Sequence, residues 1–175
     1  MEKQEIIDSL WDRYKAFADF VDSLNDDEYT RAPDGKWNAG QQVDHLIRAV
    51  SPLSSGLRLP KIVVRILCGR SNRPSKSYEE LVNKYKMKLQ GGGKASGRFI
   101  PRQIHPSAQK RNTKKLLLKI RRLNKNIETY TESQLDTFIL PHPLLGKLTV
   151  REMMYFTIYH AEHHLALTKQ YSAPA

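Results

Sequence analysis

The sequence predicts an all-α protein built as a four-helix bundle. Four long segments place apolar residues three and four apart, and two of them open on a capping-box pair. No stretch alternates apolar and polar residues as a half-buried strand does. The first segment runs over about residues 3–25, with Ile6, Leu10, Tyr14, Phe17, Val21 and Leu24 on one stripe. The second opens at Asn38, where Gln41 completes a capping box, and carries Val43, Leu46, Ala49, Val50 and Leu53. Pro52 predicts a bend or an early end there, because proline lacks the N–H that the helix needs. The third spans about 112–132, on the stripe Leu116, Ile120, Leu123, Ile127 and Tyr130. The fourth opens at Thr149, boxed with Glu152, and runs to about Tyr171 through Val150, Met153, Thr157, His160, His164 and Leu167.

Between the second and third segments lies a long basic crossover holding one extra short helix, about 77–90. It begins with the box Ser77 to Glu80 and buries Tyr78, Leu81, Val82, Tyr85 and Leu89. Around it, "GRSNRPSKS", "GGGKASG" and "PRQIHPS" read as loops. There is no internal repeat, and residues 1–175 form a single domain with enough chain for a proper core.

Composition narrows the function classes. At 39% hydrophobic residues the chain is a globular protein. The start "MEKQEIIDSLWDRY" is acidic and amphipathic rather than a secretory signal, and no apolar run is long enough for a bilayer span. One cysteine, Cys68, excludes an internal disulfide and fits a reducing compartment, so a cytoplasmic protein with no membrane partner is expected. The net charge of +11 is unevenly spread: residues 58–122 hold 19 Lys/Arg against Glu79 and Glu80, a net +17, while the rest is −6. A solvated basic face accounts for this, with binding of an anionic substrate or cofactor as the functional alternative. Nucleic acid is disfavoured as a partner, because the block offers few aromatics for stacking (Tyr78, Tyr85, Phe99) and no binding motif.

The chemistry is concentrated in "IYHAEHHLALTKQY", which holds three of the six histidines. His160 and His164 are one turn apart and project from the same helical face, so two imidazoles can reach one ion. In a bundle the third ligand comes from the buried face of a facing helix, and His45, beside Leu46 on the second helix, fits. A 160/163 pair has suitable spacing too, but the stripe through Val150, Met153, Thr157 and Leu167 favours His164 as the inward residue. His163 is then expected to lean aside, as a group supporting the ligands or as a solvated edge. His105 and His142, in "IHPS" and "PHPLLG", read as surface or packing residues. Burying three imidazoles without a common partner is costly. Three nitrogen ligands with no fourth leave open positions, the pattern of a catalytic site, and suit zinc, nickel, copper or ferrous iron. No catalytic group beyond these ligands and no organic-cofactor motif stands out. "GGGKAS" is no phosphate loop: it follows a helix, the first required glycine falls on Lys88, and Ala95 replaces the Ser/Thr. No nucleophile-elbow serine occurs, and Cys68 reads as a small core residue.

The stretches "KWNAGQQVDHL" around His45 and "HPLLGKLTVREMMYFTIYHAEHHLALTKQ" resemble the DinB-like (DinB/YfiT) superfamily, a group assigned to metal-dependent enzymes. "NRPSKSYEELVNKY" and "FIPRQ" extend the resemblance over nearly the whole chain. It implies an up-down-down-up bundle that dimerises and holds a divalent metal on three histidines, here His45, His160 and His164. It also implies thiol-dependent S-transferase or isomerase chemistry with a low-molecular-weight thiol; the leading expectation is a metal-dependent transferase or hydrolase acting on a small-molecule substrate, with zinc or nickel as the ion. The strongly basic middle segment departs from the acceptor surfaces of such relatives. The alternative is a non-enzymatic, stress-related metal-binding or interaction module.

Overall fold

Reciprocal capping boxes start the helices that matter most. In the computed structural model, which describes residues 1–174, Asn38 Oδ1 accepts from the Gln41 N–H at 3.0 Å while the Gln41 side chain accepts from the Asn38 N–H at 3.1 Å. Helix α3 (Ala39–Gly56) follows. Thr149 and Glu152 do the same for α8 (Val150–Ser172), and Ser77 and Glu80 for α5 (Tyr78–Gln90). Each box satisfies two backbone donors that a helix start otherwise leaves bare. The other long helices are α1 (Lys3–Ser23) and α6 (Gln109–Glu128).

Side-chain ties between the long helices set their directions. The Met1 amino group reaches the Tyr155 hydroxyl at 3.2 Å and Arg13 pairs with Glu162, so α1 and α8 run parallel. Asn124 donates to the Ile7 carbonyl and Gln109 to the Leu24 carbonyl, so α6 runs against α1. Asn126 donates to the Ser54 carbonyl, joining the C-terminal ends of α6 and α3. The order is therefore up-down-down-up. Helix α1 packs against α6 and α8, α3 packs against the same two, and so α1 and α3 face each other across the bundle. Two successive parallel helices need a connection that returns along the full bundle, which is what residues 57–108 provide. Leu10, Tyr14, Phe17, Leu46, Leu116, Ile120 and Leu123 fill the centre and are fully buried.

Several details differ from the sequence expectation. The crossover holds α4 (Lys61–Cys68) as well as α5, and two short 3-10 turns, Gly97–Phe99 and Pro106–Ala108. Two turns of helix display too little periodicity to stand out, and α4 inserts only Val64 into the core. Short helices α2 (Asp26–Thr30) and α7 (Glu132–Thr137) cap on Asn25 and Thr131. Helix α3 does not end at Pro52 but continues to Gly56. Leaving the Arg48 carbonyl without its helical donor is outweighed by burial of Val50 and Leu57 on either side.

A two-stranded hairpin, β1 (Ile139–His142) and β2 (Gly146–Thr149), stands where no strand was expected. Four-residue strands, one holding Pro141, give too few alternations to read. Gly146, at φ +79°, supplies the backbone region that side chains avoid, and His142 Nδ1 accepts from the Leu144 and Leu145 N–H groups to close the turn. The hairpin feeds straight into α8 and leaves the all-α class intact. Glu152, at that junction, also accepts both terminal nitrogens of Arg73 at 2.6 and 2.9 Å and the Lys76 N–H at 2.8 Å, which ties the crossover to the start of α8. Among the described residues no helix is long and apolar enough to cross a membrane.

Candidate metal centre

Helices α3 and α8 run antiparallel, so the first turns of α3 lie opposite the second half of α8. Gln42 and His45, three apart on α3, face His164 and His160, four apart on α8. His45 Nε2 lies 3.1 Å from His160 Nε2, and His164 Nε2 lies 2.9 Å from the same atom. All three imidazoles are nearly fully buried, and one nitrogen from each falls within 4.8 Å of the others. The cluster has the geometry to hold one metal ion.

The outer nitrogens decide which way the lone pairs point. His45 Nδ1 lies 2.8 Å from the Phe99 carbonyl oxygen, which only accepts, so that Nδ1 carries the proton. His164 Nδ1 meets Gln42 Oε1, and the Gln42 amide is oriented because its Nε2 donates to the Trp37 carbonyl at 3.2 Å. Both rings therefore turn bare Nε2 lone pairs toward His160 Nε2. A single proton on His160 Nε2 satisfies only one of them, and a cation satisfies all three. That donor set fits a divalent ion of the zinc or nickel class and is poor for magnesium or calcium. His160 Nδ1 is buried with no hydrogen-bond partner, its ring stacked 4.8 Å from that of Phe156.

Electrostatics agree. Burial, followed by repulsion from the neighbouring imidazoles, holds His160 and His164 well below the ordinary histidine value. Burial lowers His45 as well, against a smaller upward pull from the Phe99 carbonyl. All three rings are thus in the neutral, ligand-competent form at neutral pH.

The Phe99 carbonyl is delivered by a strap bound along α3. Arg48 pairs with Asp44 at 2.6 Å and donates to the Arg98 carbonyl, and Asp44 accepts the Arg102 N–H at 2.8 Å. Asn38 reaches the Gln103 side chain at 3.2 Å. Gly40 lets the strap approach: a Cβ there would stand 2.8 Å from the Tyr29 hydroxyl and 3.0 Å from the Ile104 carbonyl.

His163 is half-buried beside the cluster. Its ring lies against Tyr159 and edge-on to His164 and Tyr85, and it makes no hydrogen bond to His45, His160 or His164 among the described residues. His142 packs against Phe156, and His105 caps the turn at Ser107. Cys68 is half-buried against the core. Sequence reasoning missed Gln42 and Phe99. Gln42 had a legible signal, a polar residue three before His45 on a buried face. Phe99 had none, because it contributes a backbone carbonyl from 54 residues away.

The family model described as the DinB superfamily matches residues 10–167, a span that includes all three clustered histidines. No curated protein matches the chain. With the match covering nearly its whole length, the chain belongs to the DinB superfamily.

Proposed function

We propose that this protein is a divalent-metal-dependent enzyme, a thiol-dependent transferase or a hydrolase, in which His45, His160 and His164 hold Zn²⁺ or Ni²⁺ through Nε2. The observation that carries this reading is the convergence of three Nε2 atoms, two with their Nδ1 protons committed to Phe99 and Gln42. When bound, such an ion supplies Lewis acidity, drawing the proton from a thiol or water near neutral pH. The chain's own residues do the rest. The Phe99 carbonyl and the Gln42 amide keep the imidazoles in one tautomer and one orientation. Trp37, 4.9 Å from the His45 ring, and Phe156 against His160 shield the cluster from bulk water. Three protein ligands leave coordination positions for a small-molecule substrate such as a low-molecular-weight thiol. The cations of residues 58–122 favour an anionic one.

The test is metal analysis of protein purified without a nickel column, alongside His160→Ala. One ion per chain in the parent and none in the variant is the expected result; a parent without stoichiometric metal refutes the proposal. Transfer of a low-molecular-weight thiol to an electrophile, lost in His160→Ala, identifies the transferase reading. A metal-dependent rise in melting temperature without turnover would instead mark a binding module.

A further inference from the structure

Helix α4 is mounted with its apolar side outward. Val64 alone is buried, while Ile62, Ile66 and Leu67 are 57%, 74% and 71% exposed, and Leu59 just before the helix is 42% exposed. At 100° per residue, Ile62 and Ile66 lie opposite Val64, with Val63 and Leu67 along the adjoining flank. Lys61 is turned inward instead: its amine donates to the Thr129 hydroxyl at 2.7 Å and lies over the Tyr130 ring. A soluble bundle normally orients such a helix the other way round, so the aliphatic face calls for a partner.

The surrounding charge narrows the choice. Arg58, Arg65 and Arg70 are exposed around the helix, and none of them forms an ion pair among the described residues. No acidic residue occurs between Arg58 and Tyr78. A second copy meeting this face about a two-fold axis would set arginines against arginines, with no acid from residues 58–78 to answer them. An eight-residue helix, about 12 Å long, also offers far less than the ~800 Å² per partner that a stable protein interface buries. An anionic lipid surface matches both properties at once. Aliphatic side chains enter the headgroup–acyl boundary while arginines meet the phosphates, and no minimum protein area is needed.

We propose that α4 and its arginine rim form a peripheral docking surface for anionic membranes. This surface is separate from the histidine cluster, and the lack of a spanning helix among the described residues does not bear on it. The test is co-sedimentation of the full chain with vesicles of phosphatidylcholine alone or with roughly a third phosphatidylglycerol, at low and high salt. The parent is expected to sediment with the anionic vesicles and to be released by salt. The exposed double variant Ile66→Asp/Leu67→Asp should bind at least tenfold more weakly while keeping the parent's melting temperature and metal content. Any of three results overturns the proposal: no binding at low salt, equal binding by parent and variant, or a concentration-dependent dimer that the variant abolishes. The last assigns the face to self-association.

Discussion

Replacing Gln42 by leucine removes the acceptor that holds the His164 proton on Nδ1, with little change in side-chain volume. Gln42 is fully buried, and so is the nitrogen it serves. Two outcomes are open to His164 in the variant. It keeps its tautomer and leaves a buried N–H unpaired, at about 1–3 kcal/mol. Or it moves the proton to Nε2, which then points into the cluster and blocks coordination. Both routes weaken metal binding without touching a ligand. Loss of such a supporting hydrogen bond typically lowers metal affinity about 10–100-fold, or roughly 1.4–2.7 kcal/mol. Competition against a zinc indicator measures the change directly. A thermal melt without metal checks the fold, and should show a loss within the about 1–3 kcal/mol of the unpaired N–H, because leucine also fills the site. Gln42→Glu keeps the acceptor for His164 but loses the donor to the Trp37 carbonyl, and should bind metal more tightly than Gln42→Leu. If Gln42→Leu binds as tightly as the parent, the tautomer argument fails, and with it the orientation assigned to His164.

Glu152 tests the junction between the crossover and α8. Burial raises its pKa, but the Arg73 hydrogen bonds and the Lys76 and Thr149 N–H groups outweigh this and hold it below the ordinary carboxylate value. A depressed folded-state pKa contributes stability above the unfolded value that is lost as pH falls through the folded one. Glu152→Gln should therefore cost about 1.5–3 kcal/mol at neutral pH, with the gap to the parent closing in acid. Chemical denaturation across pH reads this, and a gap unchanged from pH 7 down to about pH 3 refutes it. Gly40→Ala should destabilise by about 1–3 kcal/mol, since the new methyl meets the Tyr29 hydroxyl and the Ile104 carbonyl. It should also loosen the strap that carries the Phe99 carbonyl, so metal affinity falls with stability; a variant as stable as the parent contradicts the tight approach.

What was legible in the sequence was whatever a single element expresses by itself. Helices α1, α3, α6 and α8 repeat their apolar residues every three or four positions over four or more turns, and the boxes at Asn38, Ser77 and Thr149 mark starts locally. The same box motif at Asn25 and Thr131 starts α2 and α7, but one turn of helix carries no stripe to draw attention to it. The hairpin escaped because two four-residue strands exist through pairing with each other, not through their own pattern. At the candidate site, the spacing of His160 and His164 and the buried face of His45 are local properties, so the three residues could be named in advance.

The tertiary structure alone decided how those rings are held. Packing α3 against α8 in antiparallel register sets His45 opposite His160 and Gln42 opposite His164. The strap then brings a main-chain oxygen that any residue at position 99 would supply. Helix periodicity specifies which side chains face inward. The tautomer of an imidazole depends on what touches its far nitrogen, and here that is a backbone carbonyl and a side-chain amide oriented by another backbone carbonyl, contacts that helix periodicity does not encode.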